Sequence, residues 1–357
     1  MPYVGANTNY RINGTDIGTD LITREYLIDV YPSLLDNFRF AGLWLWGNNS
    51  YGELGNNTVT NRSSPVQTVS GGTNWKQVSA GSQFTAAIKT DGTLWLWGRN
   101  AYGELGDSTT TRRSSPVQTT SGGTNWKQIS CGSGHTAAIK TDGTLWLWGS
   151  NNNGQLGKND TTNRLSPEQT ISGGTNWKQV SAGRLRHTAA IKTDGTLWLW
   201  GSNANGQLGD NTVTSRSSPV QTVSGGTNWK QLSSGWTSTA AIKTDGTLWL
   251  WGNNGSGQLG TDDTTSRSSP VQTVSAGTNW KQTEAGFQNI AAIKTDGTLW
   301  MWGRGSEGQL GTNDRTTRSS PVQTVSGGTN WKQVFPGYYH TVAIRDDSSD
   351  PFRSDPL

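Results

Sequence analysis

The dipeptide Trp-Gly recurs with its Trp at 46, 97, 148, 200, 251 and 302, at intervals of 51, 51, 52, 51 and 51 residues. The hexapeptide Gly-Thr-Asn-Trp-Lys-Gln returns equally often, with its Trp at 75, 126, 177, 229, 280 and 331. A unit this short cannot bury a core of its own, so the copies must stack on one another. The 47 Gly and 19 Trp in 357 residues suit many tight turns around a core of large rings, and they argue against disorder despite a hydrophobic content of only 31%.

Each unit reads as four short strands: Ser64 to Val69, Asn74 to Ser79, Thr85 to Lys89 and Thr93 to Trp97. Pro65 opens the first, where a missing N–H is tolerated, and Asp91-Gly92 is a hairpin signal before the last. In Leu94-Trp95-Leu96-Trp97 the Leu and Trp side chains fall on opposite faces. Both faces are apolar, so both need a cover, and stacked blades supply one. The expected fold class is therefore all-β, a closed β-propeller of six four-stranded blades with seven as the alternative.

Three segments carry a family resemblance: Leu145-Trp146-Leu147-Trp148-Gly149 with Gly154-Gln155-Leu156-Gly157 and Ser166-Pro167, then Gly132 to Ile139, then Gly183 to Ile191. They resemble the regulator of chromosome condensation repeat, and the likeness spans residues 42 to 346. The resemblance implies a β-propeller with blades of about 50 residues. Thr341-Val342-Ala343-Ile344 is expected to pair with Leu43-Trp44-Leu45-Trp46 and so close the ring. The family includes a nucleotide exchange factor, a plant UV-B photoreceptor and a β-lactamase inhibitor, so fold alone assigns no function. The photoreceptor pattern Gly-Trp-x-x-Thr is met only at Gly235-Trp236.

Comparing the six copies shows where variation is permitted. The Ser-Gly-Gly-Thr and Thr-Asp-Gly turns, which share one end of the propeller, scarcely change. The two connections at the other end vary. The bend before the third strand carries Phe84, His135, Arg184, Arg186, His187, Trp236, Phe287, Tyr338, Tyr339 and His340 in different copies. The link read as joining blades carries Tyr102 and Arg304. Aromatic and Arg side chains on loops of a rigid scaffold are the residue types that anchor interfaces, so these positions form the expected binding face.

No catalytic or metal-binding pattern emerges, and the chain reads as a binding or structural protein rather than an enzyme, with no cofactor. The histidines lie in the second, third and sixth units and cannot converge on a metal. Most Lys residues sit at two fixed repeat positions, as in Lys76 and Lys89, which spreads the net charge of +4 and leaves no nucleic-acid stripe. Cys131, the only cysteine, stands where other copies have Ala or Ser, and no apolar run is long enough to span a membrane.

Residues 1–41 lack the repeat. Asp20 is placed to cap a short helix before Pro32, and Tyr26, Leu27, Ile28, Leu34, Leu35 and Phe38 need a surface to cover. This stretch resembles the anchoring segments of bacteriophage structural proteins, whereas residues 347–357 read as a mobile tail. The resulting expectation is a virion-associated fibre, collar or decoration subunit. Its arm would bind virion structural proteins, in a homo-oligomer or larger assembly, and its variable face would meet a host surface protein or glycan. The alternative expectation is a cytoplasmic, partner-binding regulator or inhibitor.

Overall fold

A computed structural model describes residues 42–69, 74–275 and 277–346, together with two short paired strands, Arg11–Ile12 and Thr15–Asp16. The expected arm residues from Tyr26 to Phe38 and the tail from 347 lie outside the described residues. The repeat region is entirely β, with no helix among the described residues. Its first complete blade runs Trp75–Ala80, Phe84–Lys89, Leu94–Gly98 and Arg113–Gln118, paired antiparallel in that order. Four more blades begin at Trp126, Trp177, Trp229 and Trp280.

The grouping of strands differs from the sequence expectation. The Ser-Pro strand ends a blade rather than starting one, since Leu96 pairs with Val117 across the long link. That link is therefore inside a blade, and the Ser-Gly-Gly-Thr turn joins blade to blade. Composition alone cannot reveal this, because all four strands of a unit are equally competent to pair with the next.

The core lies between sheets. The Leu face of one blade (Phe84, Ala86, Ile88, Leu94, Leu96) packs on the Trp face of the next (Trp126, Ala138, Trp148). The same arrangement repeats from Leu145 and Leu147 onto Trp177 and Trp200. Within the Trp face the rings meet edge-on, Trp126 to Trp148 at 6.0 Å, and Lys140 lies over Trp126 and Trp146 at 4.7 and 4.3 Å. The ammonium gains from both ring faces while its stem covers apolar surface.

Polar clamps fix the register of the four joints between complete blades. Gln77 bonds both the carbonyl and the N–H of Ile129, and Gln128, Gln179 and Gln231 repeat this on Val180, Leu232 and Thr283. Ser79 accepts from the N–H of Cys131, and Ser130, Ser181 and Ser233 do likewise one blade on. At the next position the serine is replaced by Glu284, which accepts from Ser233 instead, and Pro336 has no N–H to offer. Burial pushes the Cys131 thiol up to about 12, consistent with a small, inert core residue.

Seven sheets follow one another: five complete blades and, at the two ends, the two-stranded sheets Trp44–Gly47 with Arg62–Gln67 and Trp331–Pro336 with Thr341–Arg345. The expectation of six complete blades is thus corrected toward the seven-sheet alternative, and the ring closure expected between Thr341–Ile344 and Leu43–Trp46 is not formed. The physical reason is phase. Among the described residues the repeat region opens on the last two strands of one blade and closes on the first two strands of another. Trp46 is 61% exposed, whereas its five equivalents are fully buried.

The Thr-Asp-Gly turns are sterically locked. Gly143 has φ of +80°, and a Cβ there would come within 2.1 Å of the Thr175 carbonyl oxygen in the next blade's turn. Gly122 has φ of +52° but nothing near its Cβ position. Gly143→Ala is therefore expected to lower the urea midpoint well beyond Gly122→Ala, which carries only the left-handed cost of about 1–2 kcal/mol. Equal midpoints would disprove the steric account.

Candidate binding face

Both variable connections lie at one end of the blades. The residue leaving the third strand bonds back to the bend before the second, as in Arg99 N–H to Gln83 O, Ser150 to Gly134 and Arg304 to Gln288. Consecutive bends are also tied together: Arg184 donates to Gly235 O, Leu185 to Trp236 O and Trp236 to Gly286 O. These three bends form a connected stretch of rim.

On this rim the structure gathers part of the expected set. Trp236 meets Phe287 edge-on at 4.8 Å, Phe287 stacks on Tyr338 at 3.7 Å, and Tyr339 lies 4.1 Å from Tyr338. The Arg304 guanidinium sits over Tyr339 at 5.6 Å and Tyr338 at 6.0 Å, and pairs with Glu307 at 3.5 Å. Trp236 and Phe287 are half-buried, while Tyr338, Tyr339 and His340 are exposed. Arg184 and Arg186 are exposed beside Trp236, in the unit lengthened by one residue. Arg186 takes φ of +60°, a strained choice for a long side chain, and reaches Asn153 at 3.4 Å. Tyr102 stands apart, stacked under Arg99 at 4.9 Å.

Three expected residues do not belong to this surface. Phe84, His135 and His187 are buried. Each begins a second strand and pairs with the glycine that ends the third, as in His135 with Gly149, so it points between blades rather than outward. The Nε2 of His135 bonds the Thr188 hydroxyl at 3.0 Å, and His187 bonds Thr239 at 3.3 Å. These hydroxyls in turn donate to the Gln155 and Gln207 carbonyls of the loop behind. The constancy of the Thr after each His was the signal that the pair is structural.

Among the described residues no three His, Cys, Asp or Glu side chains gather at metal-binding spacing. The Arg before Ser-Ser-Pro is held inside its own link, Arg113 on Asp107 and Arg216 on Asp210 at 2.9 Å. The link itself is organised by a buried Asn: the Asn100 amide donates to the Thr109 and Thr111 carbonyls and accepts from Leu105 N–H.

Burial drives the His135 imidazole down to about 3 and His187 down to about 4, from 6.5. The unfolded chain takes up these protons first, so stability is full above pH 6.5 and falls as pH drops through 6.5 toward 4. Each His contributes a slope of about 1.4 kcal/mol per pH unit. Glu284, raised to about 7 by burial, contributes a slope of opposite sign in the same range, so His187→Gln is expected to reduce the net acid slope in urea titrations by about 1.4 kcal/mol per pH unit, and an unchanged slope would exclude the assignment.

The chain matches the RCC1-like domain over residues 41–349. It is 32% identical over 308 residues to the ultraviolet-B receptor UVR8 of Arabidopsis thaliana, covering 84% of this chain and 70% of the receptor. It is 31% identical over 191 residues to the probable E3 ubiquitin-protein ligase HERC4 of Homo sapiens, but that match spans 52% of this chain and only 18% of HERC4. The fold resembles that of yeast RCC1 (Prp20) in its complex with Kap60, with a TM-score of 0.73 at 19% identity, over 87% of this chain and 79% of that one. These relatives are proteins of plant, human and yeast cells. They overturn the expectation of a virion-associated subunit, of virion structural partners and of a place in a virus particle, and they lend nothing to the phage likeness of residues 1–41. The repeats had already pointed to the right family, and the chain belongs to the RCC1-like domain proteins.

Proposed function

We propose that this chain is a cellular, non-enzymatic regulator that binds a protein partner through the rim carrying Trp236, Phe287, Tyr338 and Tyr339. The observation that carries this reading is the aromatic cluster itself. Four large rings from three consecutive bends lie together where drift alone would favour Ser, Asn and Gly. Such clusters are the usual anchors of interfaces.

The charges beside the cluster favour an acidic segment with an apolar anchor. Arg113, Arg164, Arg216, Arg267, Arg304 and Arg318 each have a carboxylate partner. Arg184 and Arg186 have none among the described residues, and both are exposed next to Trp236. Arg pairs readily with carboxylates through its planar fork.

A fluorescein-labelled Glu–Tyr copolymer serves as the probe with the full chain. The variant Trp236→Ala, Phe287→Ala, Tyr338→Ala is expected to fold with an unchanged second-strand register and bind at least tenfold more weakly. Arg184→Gln with Arg186→Gln is expected to weaken binding and flatten its salt dependence. Full affinity in the aromatic variant would sink the proposed face. Full affinity in the arginine variant alone would sink only the acidic partner.

A further inference from the structure

The joints between complete blades share one polar fastening, and the joint that follows them has lost it. In each of the former a Gln holds the N–H and carbonyl of the next inner strand, and a Ser accepts a second N–H two residues on. Neither tie forms among the described residues between the blade from Trp280 and the sheet of Trp331–Pro336 with Thr341–Arg345. Gln282 turns to Glu284 on its own strand rather than to Val334. Glu284 stands where the Ser would be, and Pro336, in register with it, has no N–H.

A third tie is missing as well. His135 and His187 reach a Thr hydroxyl across their joints, whereas Asn289 fills the same place with a shorter side chain. Asn289 is 2% exposed, and neither its Oδ1 nor its Nδ2 has a partner. A Cβ on Gly286 would strike both that Oδ1 and the Pro336 carbonyl, so the amide lies against the final sheet. What remains at this joint is apolar. Val334 is buried against Ala291, Ile293, Leu299 and Met301, and Phe287 stacks on Tyr338 at 3.7 Å. The aromatic rim therefore bridges a joint whose inner strands no polar tie fastens.

Glu284 suits one protonation state here. Its carboxyl accepts from Ser233 at 2.8 Å and from Gln282, neither of them on the final sheet, and among the described residues that sheet offers it no donor. An anion facing that side is poorly matched, whereas a neutral carboxyl can donate its O–H to a carbonyl there. No charged side chain relieves it. Lys230 and Lys281 are exposed, Lys294 lies over Trp280 and Trp300, Lys332 reaches Asp346 at 3.8 Å, and His340 is exposed on the bend. Burial accordingly pushes the Glu284 carboxyl up to about 7.

We infer that this joint is a proton-governed hinge, which Glu284 holds closed while neutral and loosens on ionising. The bend Tyr338-Tyr339-His340 rides on the final sheet, so the aromatic rim slackens with it. Because the carboxyl holds its proton more tightly in the closed joint than in water, its closing contribution is complete below pH 4.5 and is lost as pH rises through 7. For the partner surface proposed above this adds pH control of binding, a consequence that rests on that reading. The hinge itself does not.

Hydrogen–deuterium exchange of the full chain, corrected for the intrinsic pH dependence of amide exchange, reads the hinge without any partner. Protection across Trp331–Arg345 is expected to fall about tenfold per pH unit between pH 5 and 6.5, and Glu284→Gln is expected to flatten the profile. Pro336→Ala returns an N–H to the carboxylate and is expected to reduce the slope. A flat profile in the wild type, a fall shared equally by every blade, or an undiminished slope in either variant would overturn the inference.

Discussion

Every blade of the described repeat region is apolar on both faces, and that single condition organises the rest. A Leu face must find a Trp face, so blades can exist only in a row, and the core is a set of slabs between them. The clamps of Gln and Ser add direction to a contact that hydrophobic burial alone would leave free to slide. Among the described residues a face at each end of the row has no neighbour, and it leaves large apolar side chains exposed: Trp44, Trp46 and Val78 at one end, Phe335 and Val342 at the other.

Much of this was legible in the sequence. The spacing of the Trp-Gly pairs announced the repeat, and the alternating Leu and Trp announced sheets covered on both sides. The strands lie within two residues of where propensity and turn residues placed them. What could not be read was phase. A periodic sequence looks the same wherever a unit is said to begin, so the split between blades had to come from which strands pair across the long link. The same ambiguity hid the two half-sheets at the ends.

The variable loops were legible at the level of a rim but not of each residue. Alternation of the turns between ends follows from antiparallel pairing, and it correctly collected the variable loops on one side. It could not tell the outward bend residue from the first strand residue beside it. Phe84, His135 and His187 fell on the wrong side of that one-residue boundary. The virion reading came from a short apolar stretch before the repeats, where six residues with no periodic pattern carry far less information than six in-phase copies. The relatives corrected it.

The extra residue in the third unit has a wider consequence. It lengthens the bend from two residues to Arg184-Leu185-Arg186, yet His187 still pairs with Gly201 as His135 does with Gly149. Length can thus change on this side without disturbing a ladder, whereas on the other side a single methyl group at Gly143 collides with the neighbouring blade. Steric tolerance alone would channel mutational drift toward one pole of the molecule. Novelty in such a protein can therefore accumulate there long before selection has any partner to favour.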